Sequence, residues 1–178
     1  MELVTKYDKW GGENDSQWHQ PLKTLVFLAG AEALQDGFIS LRNIQLVTAP
    51  KTELIPVPLP LNGSAQVGSG VWNFNQGNEF PGATGQLQRF TLPTGDQGLR
   101  MKADFSEGGQ YVGIRRDVNL IGARELQAIT IPIRSHDAKT FGLRLVDATG
   151  QCHQWKNLSL KGTGDWETIE LSGTHLAA

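Results

Sequence analysis

Apolar residues recur at every second position along most of this chain, and that period of two constrains its fold more than any other feature. In segment 126–135, Ile129, Ile131 and Ile133 fall on one face of an extended strand, and the residues between them fall on the other. Helical periodicity is nearly absent, apart from one short helical turn expected over 30–36. The pattern therefore predicts an all-β protein.

Turn-forming residues divide the chain into short strands, since 21 glycines and 8 prolines are spread along it. We predict clear strands at 23–29, 38–47, 98–105, 110–117, 126–135, 140–146 and 166–171, and weaker ones at 2–7, 68–74, 87–92 and 151–156. About ten or eleven evenly spaced strands are typical of a jelly-roll β-sandwich with two antiparallel sheets. We expect a single domain over 1–178, with the proline-rich segment 50–60 as a surface connector.

The charge and length of the chain exclude several classes of function. The 178 residues suit one domain, and a net charge of −2 with scattered Lys and Arg gives no general attraction to nucleic acid or anionic membranes. The single cysteine, Cys152, has no Cys or His neighbours at metal-ligand spacing. We see neither a signal peptide nor an apolar run long enough to span a membrane.

Six segments carry a resemblance to a known family. They are FNQGNEFPGATGQL (74–87), ADFSEGGQYVGIRRDV (103–118), LRLVDATGQCHQ (143–154), GTGDWETIEL (162–171), KWGGENDSQWHQPLKTLVFL (9–28) and GFISLRNIQLV (37–47). Together they resemble galactose-binding-like jelly rolls, the carbohydrate-binding modules attached to bacterial glycoside hydrolases. The resemblance covers most of the chain and implies a module that binds glycans without chemistry.

The order of these segments differs from that of the modules they resemble. The closing half of such a module occupies 1–50 here and precedes the opening half at 51–178. We therefore expect a circular permutation in which 50–60 joins the old ends, because the termini of sandwich domains often lie close together. The alternative is a chain cut across two tandem modules.

The segment 10–21 contains the densest cluster of aromatic and polar residues. Tryptophan rings stack on the apolar faces of sugars, and polar side chains bond their hydroxyls. The candidate ligand-binding residues in this loop are Trp10, Glu13, Asn14, Asp15, Trp18 and His19. The alternative is a loop fixed by its own hydrogen bonds, with both tryptophans covering a sandwich edge.

The residues expected on the outward strand faces form a second candidate set. Arginine offers a planar donor fork for sugar hydroxyls or uronate carboxylates. The candidates are Arg115, Arg144, Trp155 and Trp166, accompanied by Arg100, Lys102, Arg134 and Glu170. Ordinary solvated strand faces also carry such residues, so this alternative remains open.

A calcium site is a further candidate, at segment 75–84. Asn75, Asn78 and Glu79 supply the oxygen atoms that hard cations prefer, although their spacing does not match a calcium-loop signature such as the EF-hand. Jelly-roll modules of this type often carry a structural calcium, so the resemblance favours one here.

Non-catalytic binding of a polysaccharide or oligosaccharide is the function that these features favour. No nucleophile motif accompanies His153, and Glu170 and Asp104 have no recognisable partner carboxylate, so we expect no enzyme. The alternatives are an accessory sandwich packed against a glycoside hydrolase domain and a small jelly-roll hydrolase. The expected partners are a glycan and a tethered hydrolase domain, in an extracellular or periplasmic parent protein, without nucleic acid or membrane.

Overall fold

The computed structural model describes residues 6–15, 17–31, 37–49, 55–58, 72–118 and 125–172. These residues form thirteen strands and no helix. The strands are β1 (Lys6–Trp10), β2 (Thr24–Gly30), β3 (Phe38–Arg42), β4 (Gln45–Ala49), β5 (Ile55–Pro58), β6 (Asn73–Asn75), β7 (Thr84–Thr91), β8 (Gln97–Asp104), β9 (Tyr111–Asp117), β10 (Glu125–His136), β11 (Thr140–Val146), β12 (Cys152–Ser159) and β13 (Thr163–Ser172).

Two antiparallel sheets contain all of these strands. The first sheet has six strands in the order β1-β12-β11-β2-β9-β6. The second has seven strands: β5-β4-β10-β3-β8-β7 form its path, and β13 also pairs with β10. The predicted all-β sandwich of two antiparallel sheets is thus confirmed.

Strand β10 organises the seven-stranded sheet because it is long enough to pair with three strands. Its first half pairs with β4 and its second half with β3, while β13 pairs along nearly its whole length. The single strand predicted at 38–47 is therefore β3 and β4 joined through a bulge. Between Leu41 and Gln45 the chain advances four residues while β10 advances three, and Asn43 adopts a left-handed φ of 41°.

The core lies between the two sheets and consists of the faces that the alternation predicted. The inward residues of β8, β10, β11 and β13 are buried, among them Met101, Ile131, Leu143 and Leu171. Removing this apolar surface from water is the main force that holds the sheets together. One predicted orientation was wrong: Trp155 is 3% exposed and packs in the core, where a glycan cannot reach it.

The proline-rich segment 50–60 contains a strand, which the connector prediction missed. Residues Ile55–Pro58 pair with β4 through Thr48↔Ile55 and Leu46↔Val57. The two prolines, Pro56 and Pro58, alternate with these positions. A strand at the sheet edge tolerates them because their nitrogen atoms need not donate to the ladder. The flanking residues 50–54 and 59–71 lie outside the described residues.

The circular permutation stays a prediction. Strands β1 and β13 belong to different sheets and do not pair with each other, and residues 1–5 and 173–178 lie outside the described part of the chain. The helical turn expected over 30–36 also falls mostly outside it, since residues 32–36 are not described.

Candidate functional site

A cavity of about 680 Å³ opens on the outer face of the six-stranded sheet. Its floor is made by residues that point away from the core, including Leu28 on β2 and Gly142 on β11, which face each other in register. Neither position carries a polar side chain, so the floor is apolar. The side chains around it are supplied by β1, β9, β11, β12 and the loop after β6.

Two exposed aromatic side chains line this cavity. Trp10 is 39% exposed and Phe80 is 40% exposed, and they are the large hydrophobic residues that are exposed in the described part of the chain. Both line the cavity, although they come from β1 and from the loop between β6 and β7. Exposed apolar side chains that converge on one cavity are typical of a binding site, whereas scattered ones are ordinary surface.

Hydrogen-bonding groups lie beside the tryptophan. The Arg144 guanidinium is 5.0 Å from the centre of the Trp10 ring, and its Nε donates to Gln154 Oε1 at 2.8 Å. Lys156 forms an ion pair with Asp8 at the same edge of the sheet. The contacts with Trp10 and Gln154 hold the Arg144 guanidinium in place, and Arg144, Gln154 and Lys156 all line the cavity.

Tyr111 and Glu79 hold the opposite side of the cavity. The Tyr111 hydroxyl donates to Glu79 Oε1, and the Phe80 ring lies 6.3 Å from the Tyr111 ring in an edge-to-face arrangement. Burial, together with this hydrogen bond, raises the pKa of Tyr111 to about 12, and the same bond lowers the pKa of Glu79. Near neutral pH, Tyr111 is therefore a protonated donor, and Glu79 is an ionised acceptor that positions the loop of Phe80.

The predicted ligand loop bonds mainly to itself and to the β11–β12 turn. Asp15 accepts hydrogen bonds from the backbone N–H of Gln17 at 2.9 Å and from the His19 ring at 3.0 Å. These two bonds lower the pKa of Asp15, and the bond that the His19 ring donates to Asp15 raises the pKa of His19. Glu13 and Asn14 are exposed, with Asn14 in a left-handed turn at φ 52°. The predicted ligand residues Glu13, Asn14, Asp15 and His19 do not line the cavity. The geometry therefore favours the alternative in which this part of the loop is fixed by its own hydrogen bonds.

Asp147 anchors the loop from inside. Its carboxylate is fully buried and accepts bonds from the backbone N–H groups of Thr149 (2.9 Å), Gln151 (3.0 Å) and His19 (3.1 Å). Burial alone would raise the pKa of Asp147, but the bond that its carboxylate accepts from the Thr149 hydroxyl at 2.8 Å, together with these backbone bonds, outweighs burial and leaves the pKa below its usual value. The loop and the β11–β12 turn are thus joined through a single ionised side chain.

Trp18 and His153 are part of this buried support. The two rings meet edge to face at 4.9 Å, and His153 is 1% exposed. Burial lowers the pKa of His153, so its imidazole is neutral near pH 7. Trp18 is half-buried and packs against the core rather than into the cavity.

The outward candidates are divided between the two sheets. Arg144 lines the cavity, whereas Arg115 is exposed on the same sheet outside it and pairs with Asp117 at 2.9 Å. Trp166 lies on the other sheet, beneath the guanidinium of Arg42 at 4.3 Å. The single concave face proposed from the sequence therefore does not exist as one surface.

Two of the three predicted calcium ligands, Asn75 and Glu79, already bind protein groups. Asn75 Oδ1 accepts the backbone N–H of Gly77 at 2.9 Å, Glu79 binds Tyr111, and Asn78 is exposed in a turn. Within the described residues, no group of three or more His, Cys, Asp or Glu side chains is arranged to hold a metal ion. The calcium site therefore stays a prediction.

Several residues of the cavity escaped the sequence prediction. Phe80 and Gln154 lie within segments that carry the family resemblance, and the sequence allows Tyr111 either face of its strand. The period of two along any extended strand places Gln154 and Lys156 on the same face of β12, and this is the signal that could have found Gln154. No comparable signal exists for Phe80, since it lies in a loop.

Comparison with protein families, with curated proteins and with solved structures finds no match to this chain. Across the residues that the structure covers, no helix has the length and apolar character required to cross a bilayer. The geometry of the cavity is therefore the main guide to function.

Proposed function

We propose that the protein is a non-catalytic carbohydrate-binding module whose glycan occupies the cavity on the six-stranded sheet. The observation that carries this proposal is the convergence of Trp10 and Phe80, both about two-fifths exposed, on one cavity. Sugar rings present apolar C–H faces, and the indole and phenyl rings supply flat surfaces to cover them. The other elements of the site suit the hydroxyl groups around such a ring.

Polar groups around the aromatic pair match a neutral sugar. The cations beside Trp10 already have protein contacts, since Lys156 pairs with Asp8 and Arg144 bonds Gln154. Glu79 also lies close enough to Arg144 for their charges to interact. Because these charges offset one another, the cavity offers donors and acceptors for hydroxyls without a strong field for an ion.

The arrangement favours binding over hydrolysis. Glycoside hydrolases need two carboxyl groups about 5–9.5 Å apart, one of them with a raised pKa. The described residues that line the cavity include no carboxylate. Glu79, which bonds the cavity residue Tyr111, has a lowered pKa and is therefore unsuited to act as a general acid. In a parent protein, such a module would hold a tethered hydrolase on its polysaccharide.

Calorimetry or affinity electrophoresis against a panel of neutral glycans tests the proposal. Trp10→Ala and Phe80→Ala should each weaken binding by about 5- to 30-fold, which corresponds to about 1–2 kcal/mol of lost stacking and burial. Trp10→Phe keeps an aromatic face and should retain most of the affinity. Lys23→Ala, which changes an exposed residue outside the cavity, should leave binding unchanged.

Two results would contradict this proposal. One is the absence of binding to every neutral glycan tested, by a protein that is shown to be folded. The other is binding that Trp10→Ala and Phe80→Ala leave intact, because the glycan would then lie elsewhere on the molecule.

A further inference from the structure

Arginine and aromatic side chains alternate across the outer face of the seven-stranded sheet. Successive guanidinium-to-ring distances are 4.3 Å for Arg42–Trp166, 5.2 Å for Arg134–Trp166, 5.7 Å for Arg134–Phe38, 4.4 Å for Arg100–Phe38 and 5.1 Å for Arg100–Phe90. We call these six residues the arginine–aromatic row. Each contact lies within the range of a cation–π interaction.

Strand register explains why the row is continuous. Trp166 on β13 faces Arg134 on β10, which faces Ser40 on β3, which in turn faces Arg100 on β8. Ser40 is small and fully buried, so the long side chains on either side of it close over that position. Neighbouring strands are about 4.8 Å apart, so the backbones at Arg134 and Arg100 lie roughly 10 Å apart, and both guanidinium groups contact the Phe38 ring between them.

The three guanidinium groups of the row lack acidic partners in the described part of the chain. None of Arg42, Arg100 and Arg134 has a carboxylate oxygen within ion-pair distance there. The buried Nε of Arg134 also has no hydrogen-bond partner among the described residues. The row therefore concentrates unpaired positive charge, although the chain as a whole carries a net charge of −2.

Other charged groups near the row do not cancel it. Lys102 and His136 line a smaller cavity of about 330 Å³ together with Phe38, and the His136 ring stacks on Phe38 at 5.8 Å. The exposed Asp137 carboxylate pairs with His136 at 2.7 Å and with no arginine of the row. On the same face, Asp104 bonds the backbone N–H of Ser106 at its own strand end. Glu170 is exposed on β13, opposite Thr130 rather than opposite an arginine of the row.

The row suits an anionic ligand rather than a neutral one. Arginine guanidinium groups already lie over the rings of Trp166, Phe38 and Phe90, so these rings offer little free surface for stacking by a sugar or a base. The arginines of the row present N–H donors along the outer face of the sheet. Because a guanidinium group is planar, its edge pairs well with a planar carboxylate. The net negative charge of the whole chain disfavours nucleic acid, whose affinity depends on general positive charge.

We propose that the arginine–aromatic row is a second binding site, which takes the carboxylates of a uronate-bearing polysaccharide. This site lies on the opposite sheet from the cavity and does not depend on it. The module would then contact a glycan matrix from two sides, with neutral sugars in the cavity and acidic ones on the row. Two weak sites on one domain increase retention on a polymer through effective concentration.

Affinity electrophoresis in gels containing polygalacturonate tests this second site. The double variant Arg100→Gln/Arg134→Gln should weaken binding about tenfold, since two charge-assisted contacts are lost. The control Lys23→Gln/Lys161→Gln removes the same charge from exposed positions off the row and should retain binding. Roughly 1 M salt, at which the Debye length is about 3 Å, should weaken binding by the native protein.

Further comparisons separate this site from the cavity and from other anionic partners. Trp10→Ala should lose neutral glycans and keep polygalacturonate, so failure at one site is distinguishable from failure at the other. The proposal would be overturned by equal losses in the two double variants, or by no retention on polygalacturonate. Equal or tighter binding to a sulfated glycan, polyglutamate or single-stranded DNA would overturn the assignment to uronates. Circular dichroism of each variant confirms that it is folded.

Discussion

Replacing Asp147 by alanine should destabilise the whole domain, because this carboxylate is the common acceptor for two segments of the chain. The variant leaves the backbone N–H of Gln151 buried without its carboxylate partner, at a cost of about 1–3 kcal/mol. The N–H groups of Thr149 and His19 are half-buried and cost about 1 kcal/mol each. The expected loss is about 4 kcal/mol, in line with the removal of one partner from a buried polar cluster.

Urea unfolding at neutral pH measures this loss directly. For a chain of this length, about 4 kcal/mol corresponds to a fall in Tm of roughly 10 °C. Asp147→Asn keeps the Oδ1 acceptor but places an amide near the His19 N–H, so it should lose about half as much. Asp165→Ala is the matched control, since Asp165 is exposed and bonds mainly within its own turn.

The pH dependence follows from the lowered pKa of Asp147. Its folded pKa lies below the unfolded value of about 3.9, so its stabilisation is complete above that value and is lost as the pH falls through the folded pKa. The difference in stability between the native protein and Asp147→Ala should therefore narrow as the pH falls below about 4. A loss at pH 7 under about 1 kcal/mol, or one equal to that of Asp165→Ala, would refute the reasoning.

Three further predictions concern the core, the loop and the cavity. Trp155→Ala should lower the free energy of unfolding in urea by about 3–5 kcal/mol, and Trp166→Ala should lower it clearly less, because only Trp155 is buried in the core. Equal losses in the two variants would contradict this. Gly12→Ala should lower the free energy of unfolding by roughly 1–3 kcal/mol, because Gly12 has φ 56° and a Cβ there would meet the backbone of the β11–β12 turn. An unchanged urea midpoint would count against that contact. In an ultraviolet pH titration, Tyr111 should ionise near pH 12, and Glu79→Gln should lower that pKa toward 10. A titration that Glu79→Gln leaves unchanged would show that the Glu79 carboxylate does not act on Tyr111.

The fold could largely be predicted from the sequence because burial of one face imposes a period of two on each strand. The strand over 140–146 matches the prediction at both ends, and the inward residues of β8, β10, β11 and β13 are those expected. The pattern says nothing about which strands pair or where a bulge interrupts a strand, so the break at Asn43 and the pairing of β5 were missed. Those features depend on partners that are distant in sequence.

The candidate site was only half predictable. Trp10 and Arg144 can be proposed from residue type alone, whereas Phe80 and Tyr111 join them through cross-strand packing that no local pattern encodes. Trp155 was misplaced because its face of β12 also carries buried His153, so hydrophobic alternation is not visible there. A polar residue that is buried beside a carboxylate, as His153 is beside Asp147, makes an inward strand face look like an outward one in the sequence.

The most direct test of the central claim is an NMR titration of tryptophan indole N–H signals with the neutral oligosaccharide that binds best. The chain has five tryptophans, so their signals can be assigned with single Trp→Phe variants. We predict a saturable shift of the Trp10 indole and of the Phe80 and Tyr111 backbone amides, with the Trp155 and Trp166 indoles nearly unchanged. Saturable binding that leaves Trp10 unshifted, or that shifts Trp166 instead, would contradict the assignment of the cavity as the glycan site.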